Sequence, residues 1–239
     1  MTDIKTHYTD LAKKCNEIQT ESLKPERISI ISKSHSSLFD YSNWLEILKD
    51  RPEYNILKMA VREYQMAILS NTLGLYNQAF IGLRFFFERT LIAIQFSSRE
   101  IDLRLWQRGE RDTNWQGIID EDTGLFSHSF CRAFFPDLKD EIVHYGRMAQ
   151  KVYRECSEYV HGNLSVQEKI PETLIFDEFL FVEWHKKAEI IKRIILFSYC
   201  LRYLNTVKSE NINIIEENIM EEFGHIEIVR EVINSIKQK

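Results

Sequence analysis

The chain has 239 residues, 44% apolar and 28% charged, with a formal net charge of −5. That composition folds around a full core without staples and excludes a globally basic nucleic-acid binder, although not a local basic patch. Eight glycines and four prolines are too few for the turns of an all-β protein or for a disordered linker, and they point to long helices.

In chain order, residues 3–20 carry Ile4, Leu11, Cys15 and Ile18 among polar residues and predict a weak helix. Pro25 and the serine-rich run Ser32–Ser37 predict a connection, and Ser42 and Asn43 are candidate caps of a short helix running to Lys49. Pro52 sits where a first-turn proline is tolerated, ahead of a helix from about Glu53 to Leu73 with Ile56, Leu57, Ala60, Tyr64, Ala67 and Ile68 at helical spacing. Gly74 breaks it. Tyr76–Phe96 is then apolar around most of its circumference, as a central helix is, with Arg84 and Glu88 as polar exceptions. Residues 99–135 predict short helices and loops. Pro136-Asp137 opens a helix to His161 with Ile142, Tyr145, Met148, Val152, Cys156 and Tyr159 on its apolar stripe, and Gly162-Asn163 stops it. A loop through Pro171 follows, with a short strand at Thr173–Phe176. Asp177 caps a helix of about 30 residues to Thr206, and two weaker helices, 212–222 and 226–236, flank Gly224.

No apolar run approaches the ~20 residues that cross a bilayer. The start Met1-Thr2-Asp3-Ile4-Lys5 lacks the apolar stretch of a signal peptide, and Cys15, Cys131, Cys156 and Cys200 never form C-x-x-C. The expectation is a cytoplasmic protein with neither a disulfide framework nor a zinc site.

The segment Tyr153–Gly162 concentrates the chemistry. Arg154 and His161 are seven residues apart, close to two helical turns, with Ser157 between them on the same face. Next to the Cys156/Tyr159 stripe, that face is expected to border the core, with His161 at the helix end. Arginine holds a phosphate bidentately and histidine moves a proton near neutral pH, so the set suits phosphodiester cleavage without a metal. The structural reading of the same residues is an i, i+4 pair of Arg154 with Glu158 and a histidine favoured by the helix dipole. Arg147 and Lys151 precede Arg154 and extend a local positive path.

The order of these features resembles the HEPN superfamily (higher eukaryotes and prokaryotes nucleotide-binding), whose signature is R-x4–6-H near a helix end. Arg154…His161 fits its longest form, and Cys156-Ser157-Glu158-Tyr159-Val160-His161-Gly162 is similar to the S-x-Y-V-H-G ending of several members. Gly74-Leu75-Tyr76-Asn77-Gln78-Ala79, then Leu83-Arg84 and Glu88, resemble their G-x-Y-x-x-A…L-R…E helix. The resemblance runs from about Leu57 to Gly162 plus the next helix. It implies an all-α, HEPN-like helical bundle forming one domain over 1–239, with a core at about 53–207 and helical decorations at 1–52 and 208–239. It further implies a metal-independent endoribonuclease without cofactor, acting as a toxin or phage-defence effector. Its active site would form at a homodimer interface, and an antitoxin or defence-system protein would be a possible partner. His161 would then transfer protons, Arg154 would stabilise charge at phosphorus, and Ser157 would orient the phosphate or His161. Arg84, Glu88, Glu155 and Glu158 would support them. Directly after the arginine, active members carry Asn, Asp or His, whereas this chain has the acidic Glu155.

Other readings remain open. Arg84 and Glu88 satisfy each other as a plain ion pair if nothing else uses them. Arg104, Arg108 and Arg111, interleaved with Trp106 and Trp115, either stack on single-stranded RNA or flank two structural anchors. Lys186, Lys187, Lys192 and Arg193 read as a solvated helix face. Two E-x-x-H motifs, Glu141…His144 and Glu222…His225, with Glu63 and Glu88 would build a di-iron bundle, but Gly224 interrupts the second. His128 and Cys131 lack further ligands at metal spacing. No G-x-x-x-x-G-K-[ST], G-x-G-x-x-G or G-x-S-x-G occurs. The rival of a different class is a catalytically inactive helical module that binds a partner protein or nucleotide.

Overall fold

The computed structural model describes residues 3–238, and it is all-helical, with no strand among the described residues. α1 spans Ile4–Ser22, α2 Pro25–Ile47, α3 Tyr54–Thr72 and α4 Tyr76–Phe96. Three short helices follow, α5 (Glu100–Gln107), α6 (Trp115–Ile119) and α7 (His128–Phe134). α8 is Ile142–His161, α9 Leu164–Gln167, α10 Glu178–Tyr203, α11 Ser209–Phe223 and α12 Glu227–Lys237.

Five helices make the core. α4 packs against α3, α8 and α10, and α10 also packs against α2 and α8. Residue pairings give the directions. Ser34 meets His185 and Asp40 meets Lys192, so α2 and α10 run parallel. Trp184 donates to the Ala79 carbonyl and Arg202 to Ser97, so α4 shares that direction. Phe80 stacks on Tyr159 and Arg84 reaches Tyr153, so α8 runs against α4, as α3 does through the Gly74 turn. Gly74 takes a positive φ of 76° there, which costs a glycine little. Gly82 allows the α3–α4 approach, since a Cβ in its place would lie 3.0 Å from the Ala67 Cβ.

α4, and the stretch Ile194–Leu201 of α10, are apolar nearly all round because each is enclosed by neighbours. Trp44 stacks on Tyr199 at 5.0 Å, Tyr145 on Phe197 at 3.8 Å and Phe80 on Tyr159 at 3.8 Å. Asp177 caps α10 by accepting from the Leu180 N–H, as the sequence predicts.

Several elements differ from the sequence expectation. Pro25–Ser37 is no connection, and Ser42 and Asn43 cap nothing. All lie inside the single helix α2. Its serines are helix-compatible because their hydroxyls donate back one turn, Ser36 and Ser37 to the Lys33 carbonyl and Ser42 to that of Leu38. Small Ser34 and Ser37 face inward beside Tyr41 and Trp44, so α2, placed outside the 53–207 span by the sequence reading, is a core helix. Pro136 opens a short 3-10 turn, Pro136–Leu138, and α8 starts only at Ile142. Thr173–Phe176 pairs with no strand and runs as coil. Lys187 and Lys192 are not solvated. Lys187 holds Glu155 at 2.6 Å and Glu183 at 3.0 Å, and Lys192 lies 3.3 Å from Asp40 and 3.5 Å from Glu222. Lys186 and Arg193 are exposed, as expected.

The buried polar centre of the α2–α10 contact is His185, 4% exposed. Burial pushes its pKa down from 6.5 to about 4. Between those values the unfolded chain binds a proton that the folded chain does not, so stability is lost as pH falls from about 6.5 to about 4, by up to about 3 kcal/mol. Urea denaturation at pH 7 and pH 4.5 is expected to show this loss, and His185→Gln is expected to flatten it in that window. A loss of the same size in the variant would assign the acid sensitivity to other groups.

Candidate functional site

α8 has one buried stripe, formed by Ile142, Tyr145, Ala149, Val152, Cys156 and Tyr159. At 100° per residue, Arg154 lies about 200° round the helix from Val152, on the opposite side. Arg154 and His161 therefore do not border the core. Both are exposed, and together with Arg147 they form one outward line of residues spaced by seven, about 10 Å per step. Arg154 makes no ion pair with Glu158, which is half-buried beside it. Lys151, also exposed, flanks the line. His161 occupies the last turn of α8, and Gly162 ends the helix with φ 61° and ψ 42°, its N–H bonding to the Glu158 carbonyl. Four basic side chains thus project from one helix face.

Ser157 is tied down. Its hydroxyl donates to the Tyr153 carbonyl at 2.7 Å, which leaves its oxygen able to accept but its proton committed. Glu155 points the other way from Arg154, toward α10, where Lys187 neutralises it. Burial works against the Lys187 ammonium, but Glu155 and Glu183 outweigh it and hold its pKa above the ordinary value. The acidic residue after the arginine therefore does not place its charge on the outward face.

Arg84 and Glu88 are more than a pair. Arg84 donates to the Tyr153 hydroxyl at 2.5 Å and lies 3.5 Å from Glu88, while that hydroxyl donates to Glu88 at 3.4 Å. The Arg84 guanidinium also sits 4.7 Å from the Tyr153 ring centroid. Tyr153 in turn stacks on Trp115 at 3.7 Å with the rings nearly parallel. This network fixes α8 to α4 and α6 just beneath the outward line. Trp115 is buried and Trp106 packs near Phe96, so both tryptophans are anchors rather than a stacking platform. Arg104 pairs with Glu100 and Arg111 with Asp102 at 2.6 Å. Arg108 is exposed but belongs to the turn after α5. None of the three is brought to Arg154.

Sequence reasoning missed a cleft of about 370 Å³ on the N-terminal half of α8, where Arg147 and Gln150 face Phe126 and His128. The signal for it was Gly146, whose missing side chain lets Phe126 approach, since a Cβ there would lie 3.2 Å from the Phe126 Cβ. The di-iron alternative does not assemble. Glu88 is taken up by Arg84 and Tyr153, His144 is exposed, and among the described residues no three His, Cys, Asp or Glu side chains are grouped to hold a metal. Among the described residues no helix is long and apolar enough to cross a membrane.

Comparison with family models, with curated proteins and with solved structures returns no match to this chain.

Exposed, and without hydrogen-bond partners among the described residues, Arg154 and His161 contribute little to folding. Arg154→Ala and His161→Ala are each expected to change unfolding free energy by about 0.5 kcal/mol or less. Tyr153→Ala, which removes a stacked ring and the partner of Arg84, is expected to cost about 3 kcal/mol. Chemical denaturation of the three variants checks the contrast, and a large loss in His161→Ala would show that the imidazole has a structural partner.

Proposed function

We propose that this chain is a HEPN-like endoribonuclease that cleaves RNA at a site composed by two copies of α8. One observation carries the reading. Arg147, Arg154 and His161 share a single outward line and make no ion pair among the described residues, so three side chains suited to phosphate and proton transfer meet at one surface. The containment of Glu155 by Lys187 also supports it, because the one residue that departs from the HEPN pattern is turned away from that surface.

In this reading the 2′-hydroxyl of the substrate loses its proton to one imidazole and attacks the adjacent phosphorus. The bond to the 5′-oxygen breaks, the second copy's imidazole protonates that oxygen, and the products are a 2′,3′-cyclic phosphate and a 5′-hydroxyl end. A single histidine cannot be base and acid at once, and this is the reason for a homodimer. Arg154 stabilises the charge that builds on the non-bridging oxygens. Arg147 and Lys151 hold flanking phosphates, and the strand then runs toward the cleft beside Gln150 and Phe126. Ser157 accepts from the substrate rather than donating to it, as its proton is bonded to the Tyr153 carbonyl. Arg84 and Glu88 act at one remove, by fixing Tyr153. We place the activity in a cytoplasmic toxin or defence effector, restrained by a partner protein until triggered.

Purified protein is expected to cleave single-stranded RNA to cyclic-phosphate ends in the presence of EDTA. His161→Ala and Arg154→Ala are expected to lose at least 100-fold in rate while staying folded, and light scattering is expected to show a dimer at micromolar concentration. Full activity of His161→Ala, or its abolition in wild type by EDTA, would refute the proposal. An inert wild-type protein would favour the module that binds without cleaving.

A further inference from the structure

A second cavity, of about 390 Å³, lies away from α8 in the groove between the parallel helices α2 and α10, closed at one end by α11. Its floor is polar. His185 Nε2 lies 3.1 Å from Asn71 Nδ2, and His185 Nδ1 lies 2.7 Å from Ser34 Oγ. Ser34 and His185 both line the cavity.

The walls continue the pattern. On the Ser34 level, Lys33 and Lys186 line the groove and neither has a carboxylate within 4.0 Å among the described residues. Further along, the lining turns acidic. Glu189 and Glu221 are likewise unpaired, and Glu222 shares Lys192 with Asp40. Burial raises the Asp40 pKa, Lys192 opposes the rise, and Glu221 and Glu222 add to it. Lys192, together with Arg193, which lies 3.1 Å from Glu222, does not balance Asp40, Glu189, Glu221 and Glu222, so this end is short of positive charge. On α10 the two ends are separated by three to six residues, from Lys186 to Glu189 and Lys192, or about 5–9 Å.

We propose that this groove binds a small zwitterionic molecule. Its anionic group is held by Lys33 and Lys186, and its ammonium group lies against Glu189 and Glu221. A lysine end and a carboxylate-rich end a few ångströms apart select for both charges on one ligand, because a singly charged molecule would leave one end unmatched. The site is separate from the α8 surface, and its test does not depend on RNA cleavage.

The probe is 6-aminohexanoate, with hexanoate and hexylamine as single-charge controls and sodium chloride at matched ionic strength. Thermal unfolding of the full chain is expected to shift upward with 6-aminohexanoate in a saturable way, and less with either control. The double variants Lys33→Ala/Lys186→Ala and Glu189→Gln/Glu221→Gln change exposed residues and should fold. Each is expected to raise the half-saturating concentration at least tenfold. A shift no larger than that of salt would overturn the proposal. So would an equal shift with hexanoate alone, or unchanged saturation in the lysine variant.

Discussion

α8 is held between two helices, α4 on one side and α10 on the other, and this sets what each of its residues can do. Turning from Val152 in steps of 100° passes from core to network to surface within four residues. Val152 is buried, Tyr153 joins Arg84 and Glu88, Arg154 is in solvent and Glu155 meets Lys187. The grip needs both sides. The Phe80–Tyr159 stack fixes the α4 side, and the Tyr145–Phe197 stack together with the Lys187 pairs fixes the α10 side. With the helix locked in rotation, the line Arg147–Arg154–His161 has one direction in which to face.

The same economy governs the buried charges. Glu53 sits in the core, where an unpaired carboxylate would be costly. Arg51 holds it at 2.5 Å and the Tyr203 hydroxyl donates to it at 2.8 Å. Lys187 and Lys192 are likewise each shared by two carboxylates. These clusters join helices distant in sequence, α10 to α8 and α10 to α2, in a core whose apolar contacts alone would leave the helices freer to slide. Arg147 and Arg154, exposed at the surface, need no such partner.

How legible this was in the sequence depended on whether a signal was local. α4 declared itself by apolar residues on every side and α10 by its Asp177 cap, and the stops at Gly74 and Gly162 needed only one residue each. α2 was missed because serine reads as a loop former, and its compatibility with a helix depends on hydroxyls bonding back to Lys33 and Leu38 and on neighbours that want a small side chain. The spacing of Arg154 and His161 was legible, but their direction was not. It follows from which stripe α4 and α10 cover, and a residue two positions from a core residue lies almost opposite it. Lys187 was misread for the complementary reason, because its carboxylate partner on α8 is 32 residues away in the chain.

α10 is where these features meet. Within four residues it serves three neighbours. Trp184 donates to the Ala79 carbonyl of α4, His185 turns to Ser34 of α2, and Lys187 turns to Glu155 of α8. His185 and Lys187 are two residues apart and so about 200° apart round the helix. One side of α10 therefore forms the floor of the α2 groove, and the other braces the helix that carries Arg154 and His161. A rotation of α10 that deepened the groove would swing Lys187 away from Glu155 and release a carboxylate next to Arg154. Trp184, buried between the two and bonded to α4, resists that rotation. The two surfaces are mechanically joined through a single helix, yet each takes its chemistry from residues the other does not use.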